Sequence, residues 1–183
     1  MLWPFKHFRK PLLAPPGTIE TIYGMIVTQA REPLFYRDLG VPDTVNGRFD
    51  LLLLHLWMVL QHLRSLPRGV ELAQVLFDHF CLDMDANLRE LAVGDLAVPK
   101  KMRALGAAFY GRSAAYDMAL SGGSEAMVQA IDRNVLEGTA IDNARRLAAY
   151  TLGALASLAL ERDPKRLGVT WKFPMPLGEG SSS

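Results

Sequence analysis

"LGVPDTVNGRFDLLLLHLW", residues 39–57, passes from a turn-rich segment through an Arg48/Asp50 pair into four consecutive leucines. How that run is read decides the fold. A helix that spans a bilayer needs about 20 apolar residues, whereas Asp50 and Gln61 bracket this run and His55 interrupts it. Leu51 to Leu54 point in successive directions around one helical turn. They therefore predict a helix that is apolar nearly all round and enclosed by its neighbours. The other long apolar stretch, "LAAYTLGALASLAL" at 147–160, is 14 residues long and also too short to cross.

Working outward, helical spacing recurs on both sides of the leucine run. Before it, Ile19, Ile22, Tyr23, Ile26, Val27 and Ala30 keep three- and four-residue steps, with Thr18 read as the N-cap and Pro33 as the stop. A loop containing "GVPDTVNG" follows, in which Asp43, Thr44 or Asn46 is placed to cap a second helix from about Gly47 to Leu66. After "LPRGVE", Val70, Ala73, Phe77, Phe80, Cys81 and Met84 predict a third helix extending to about Leu91. Pro99 opens a fourth, Ser124 a fifth, and a sixth runs from about Thr139 to Arg162. No segment alternates with the two-residue period of a strand.

The expected architecture is all-α, a single compact domain of about six principal helices. An extended arm (1–16) precedes the helical domain (17–165), and an irregular tail (166–183) follows it. With 183 residues and a 50% hydrophobic content, the chain has ample apolar surface for one core. Twenty Lys and Arg against 19 Asp and Glu leave no net field that would recruit DNA. The single Cys81 excludes an intramolecular disulfide and fits a reducing compartment. "MLWPFKHFRKPLLAPP" interrupts its apolar positions with Pro, Lys, His and Arg, unlike an export signal. Location is expected to be cytoplasmic, with peripheral attachment to the inner face of the membrane.

Enzymatic chemistry finds little support. Asp83, Asp85 and Asn87 imitate the start of a calcium loop, but Leu88 stands where glycine is required and Gly94 where glutamate is required. An ion-paired surface with Asp85 and Arg89 one turn apart explains these charges better. His55 and His62 are two turns apart, about 10 Å, too far for one metal ion. Cys81, beside Phe77 and Phe80, reads as a small buried hydrophobe. No catalytic residue, metal or cofactor is expected.

Other features suit contacts with macromolecules. In the arm, Trp3, Phe5 and Phe8 alternate with Lys6, Arg9 and Lys10, a mixture suited to an anionic membrane surface or ribosomal RNA. Methionines recur in the helices, either filling core gaps or lining an adaptable surface. In "AAFYGRSAAYD", Phe109, Arg112 and Tyr116 share a face, and Arg112 is expected to pair with Asp50, Asp85 or Asp95. Gly111 in mid-helix suggests a close helix crossing.

The blocks "IYGMIVTQAREPLFYRDLGVPDTVNGRFDLLLLH", "LFDHFCLDMDANLRELAVGDLAVPKKM" and "AFYGRSAAYD" resemble, in order, the ubiquinol–cytochrome c chaperone family over roughly residues 18–150. The resemblance implies an all-α protein without cofactor that serves assembly of the respiratory cytochrome bc1 complex. It would bind newly made cytochrome b non-covalently and aid its maturation. The ribosome, the membrane surface and a small partner protein are further implied partners. Phe35, Tyr36, Asp43, Arg48, Asp50, Asp83, Asp85, Arg89, Asp95, Tyr110 and Arg112 are carried over as structural or interaction residues. The alternative is a membrane-peripheral adaptor that holds no client.

Overall fold

The fold is built around one helix. In the computed structural model, which describes residues 17–91, 94–138 and 140–176, α3 (Val45–Ser65) carries the leucine run and buries 13 of its 21 residues. Every residue from Leu53 to Leu60 is buried. Such all-round burial requires neighbours on each side, and α1 (Thr18–Ala30), α4 (Gly69–Glu90), α5 (Val98–Gly122) and α7 (Ile141–Leu160) supply them. Each fully buried leucine contributes about 1.5–3 kcal/mol relative to an exposed one, so α3 dominates the hydrophobic stabilisation.

Six long helices and one short one, α2 (Pro33–Arg37), account for the regular structure of the described residues, with α6 (Ser124–Asn134) packed on α5 and α7. The all-α expectation holds. Thr44 caps α3, its hydroxyl accepting from the Gly47 amide at 3.1 Å. Gly47 is needed for close approach there, because a Cβ would lie 2.1 Å from the Pro42 carbonyl oxygen. Among the described residues, no helix is long and apolar enough to cross a membrane.

Three local expectations are corrected. Pro33 does not open a plain loop: it stands at the first turn of α2, where a missing N–H costs nothing. The first helix is capped by Gly17 at φ 87°, and Thr18 is its first residue. Gly111 is exposed, with nothing within 4 Å of the position its Cβ would take, so no helix crosses there.

Core burial is uneven. Beyond Phe80, α4 has no fully buried residue, and α5 has none between Val98 and Phe109, although Cys81, Met84 and Leu105 still pack partly buried against the core. Residues 161–176 hold a 3-10 turn (Pro164–Arg166) and an isolated bridge between Leu167 and Trp171, yet they pack closely. Leu167 and Phe173 are buried, and the Trp171 indole donates to the Ser157 hydroxyl at 3.0 Å. Most helical methionines fill gaps: Met58 and Met127 are fully buried, while Met118 is 76% exposed.

Candidate functional site

The residues singled out from sequence fall into four groups. The first is internal. Phe35 is fully buried against the rings of His55 and Tyr150, at centroid distances of 5.2 and 5.1 Å. The His55 Nδ1–H faces the Leu51 carbonyl oxygen at 2.8 Å, and that carbonyl only accepts. Nε2 is then the acceptor for the Tyr150 hydroxyl at 2.9 Å, which itself receives a hydrogen bond from the Gln29 amide. Burial lowers the His55 pKa to about 4 and raises that of Tyr150, so both stay neutral. This chain of hydrogen bonds joins α1, α3 and α7.

The second group lies on α4. Asp83 accepts from the Tyr23 hydroxyl at 2.7 Å and ties α4 to α1. Asp85 and Asp95 both pair with Arg89, at 2.7 Å each. The two aspartates of the imitation calcium loop therefore serve different contacts, and no group of three or more potential metal ligands assembles among the described residues. Cys81 is half-buried and its thiol is pushed up to about 11 by burial, the wrong direction for a nucleophile.

The third group, on the outer α4–α5 seam, grades from buried to exposed. Phe109 stacks against Phe77 at 4.7 Å, and Tyr110, 46% exposed, meets both rings.

The fourth group surrounds the N-terminal end of α3. Asp43 and Arg48 form an exposed pair at 2.6 Å, and the Arg48 guanidinium sits 5.4 Å from the centroid of Tyr36. Asp50, two residues on, turns inward. Only 6% exposed, it meets Arg112 of α5 at 2.7 Å, one of the pairings expected from sequence. Burial raises the Asp50 pKa and the Glu137 charge adds to this, while Arg112 opposes both. The three charges before the leucine run thus part company: Asp43 and Arg48 face solvent, and Asp50 faces a recess.

That recess, of about 480 Å³, lies between the N-terminal end of α3, α5 and the C-terminal end of α6. Asn46 and Phe49 line one side and Leu105 and Ala108 another, with Arg133, Asn134 and Glu137 closing the third. Glu137 adopts a left-handed φ of 56°, followed by Gly138 at 74°. Sequence reading missed Phe49, Arg133 and Glu137; the signal was a glutamate rather than glycine leading the "EG" turn after α6. The arm residues Trp3, Phe5, Lys6, Phe8, Arg9 and Lys10 lie outside the described residues.

Comparison with known proteins covers most of the chain. The family model described as ubiquinol–cytochrome C chaperone matches residues 37–165. A crystal structure of the Cbp3 homolog from Brucella abortus is similar at 33% identity and a TM-score of 0.76, covering 87% of this chain and 90% of that one. Curated proteins give no significant match.

Proposed function

The chain belongs to the ubiquinol–cytochrome c chaperone family, and on that premise we propose that it is an assembly chaperone for the respiratory cytochrome bc1 complex. It binds newly made cytochrome b non-covalently, aids its maturation and catalyses no covalent step. The observation that carries this reading is the family match over residues 37–165, supported by the likeness of the fold to the Brucella abortus protein.

Physical considerations agree with a binding role. A newly made membrane protein exposes apolar helices to water, at about 0.8 kcal/mol per CH2 left unburied, and a holding protein must offer a matching surface. The outer α4–α5 seam, with Phe77 half-buried and Tyr110 and Leu82 exposed, provides apolar area of this kind. The arm, with its aromatic and basic residues, is proposed to touch the membrane surface or the ribosome. The protein acts on the cytoplasmic side. Deleting the gene is expected to remove the reduced cytochrome b absorbance and the bc1 complex from membranes. Unchanged levels of both would contradict the proposal.

A further inference from the structure

The apolar stretch 147–160 is too short to cross a bilayer, yet its burial pattern runs against that of an ordinary surface helix. In α7 the polar Tyr150 and Thr151 are buried, whereas Ala149, Gly153, Ala156, Ala159 and Leu160 are exposed. No charged side chain occurs between Arg146 and Glu161 to solvate that outer face. Along its edge runs the segment 161–176, tied to α7 where the Trp171 indole meets Ser157. Ser157 lies one turn from both Gly153 and Leu160, so the segment borders the exposed face.

The segment turns Leu167 and Phe173 inward and leaves Arg162, Lys165, Arg166, Val169, Lys172 and Met175 outside. Leu160, Val169 and Met175 are 83%, 62% and 59% exposed, so large apolar side chains stand in water among cations. Arg166 pairs with the buried Glu161, and Arg162, Lys165 and Lys172 make no ion pair among the described residues. Against these four cations stand Glu161, the exposed Asp163 and the exposed Glu20 of α1, which leaves a positive balance.

We propose that this side of the molecule, the outer face of α7 with the outward side of 161–176, rests on an anionic lipid bilayer. Leu160, Val169 and Met175 enter the boundary between headgroups and acyl chains, about 5–10 Å deep. Arg162, Lys165 and Lys172 meet lipid phosphates. The inference rests on the reading of the protein as a chaperone for a membrane-protein client, and names the surface that brings it to the membrane.

Three observations support it. Exposed apolar side chains beside unpaired long cations match an interfacial surface, because the cationic heads stay with phosphate while their stems lie on apolar neighbours. Three unpaired cations attract an anionic surface too weakly to hold the protein alone, and the exposed apolar groups supply the second anchor that stable attachment needs. Third, the arm bearing Trp3, Phe5, Lys6, Phe8, Arg9 and Lys10 joins the described structure at Gly17. Gly17 accepts from the Thr21 hydroxyl, and the Thr21 carbonyl lies 2.8 Å from where a Gly168 Cβ would stand. A second basic and aromatic segment therefore begins beside the first.

The test is co-sedimentation of the full chain with vesicles of phosphatidylcholine, alone or with about 30% phosphatidylglycerol. The anionic vesicles should bind the protein and the neutral ones should not, with affinity falling as salt rises. Lys165→Gln with Lys172→Gln should weaken binding at least about tenfold, and Leu160→Asn at least about threefold. All three side chains are exposed, so melting temperatures should not change. Lys100→Gln with Lys101→Gln removes the same charge from the start of α5 and should change binding less than about twofold. An equal loss from that control pair would show diffuse attraction and overturn the proposal. Unchanged binding of the Lys165/Lys172 variant would do the same, as would ribosome binding that this variant weakens in a protein that ignores vesicles. Absence of vesicle binding while newly made cytochrome b still co-purifies would overturn the inference and leave the chaperone reading intact. The expected vesicle pattern in a protein that never holds cytochrome b would overturn the chaperone reading alone.

Discussion

Arg112 of α5 and Asp50 of α3 meet at 2.7 Å, with the aspartate side chain 9% exposed and the arginine 26%. This pair pins α5 across the entrance of the central helix and forms the floor of the recess. Burial raises the Asp50 pKa, so folding favours its protonated form; that preference is present at low pH and is lost as pH rises through the folded-state value.

The pair should therefore respond asymmetrically to mutation. Arg112→Met strands a buried carboxylate and is expected to cost about 3 kcal/mol, whereas Asp50→Asn relieves the burial of charge and should cost about 1 kcal/mol. Urea denaturation of both variants and of the double mutant checks this. Equal losses for the two single variants would contradict the assignment.

His55 predicts a pH dependence of opposite origin. Its folded-state pKa of about 4 lies below the ordinary 6.5, so the unfolded chain binds the proton more tightly. Its contribution is fully present above about 6.5 and is lost as pH falls toward 4, a change of about 3 kcal/mol. The stability of His55→Gln, measured from pH 7 to 4.5, should fall less steeply than that of the native chain.

Two glycines make a contrasting pair. Gly47→Ala places a Cβ 2.1 Å from the Pro42 carbonyl oxygen and should push the 39–44 loop off α3, at a cost of about 2 kcal/mol or more. Gly111→Ala meets open space within α5 and should stabilise by about 1 kcal/mol. Thermal melts of the two variants should move in opposite directions.

Phe173 tests the irregular C-terminal segment. It packs on His55 at a centroid distance of 4.9 Å, and the Pro174 carbonyl accepts from Gln29 at 3.0 Å. Phe173→Ala should cost about 3 kcal/mol and speed proteolytic cleavage after Leu160. Native-like protease resistance would show that residues 161–176 contribute little to the core.

Sequence patterns revealed the helices well because burial follows periodicity. Leu51–Leu54 announced a helix enclosed on every side, and α3 is buried continuously from Leu53 to Leu60. Local chemistry was legible where one residue type suffices, as in the Asp85–Arg89 pair one turn apart, while the α3 cap was narrowed to Asp43, Thr44 or Asn46 and only the structure selects Thr44. Long-range placement was less so. Arg112 was expected to have one of three carboxylate partners, and only the packing of α5 on α3 selects Asp50. The recess joins residues from three helices separated by some 90 positions, from Asn46 to Glu137, so no local pattern marks it. Residues 161–176 carry no period because their packing uses single large side chains, Leu167, Trp171 and Phe173, rather than a repeating face.

The central claim is that the protein holds newly made cytochrome b. The most direct measurement is a short radioactive pulse in growing cells, followed by a chase and purification of the tagged full-length protein at successive times. Labelled cytochrome b should co-purify immediately after the pulse and leave during the chase as it enters the bc1 complex. Absence of labelled cytochrome b at every time point, while the complex still assembles, would contradict the account.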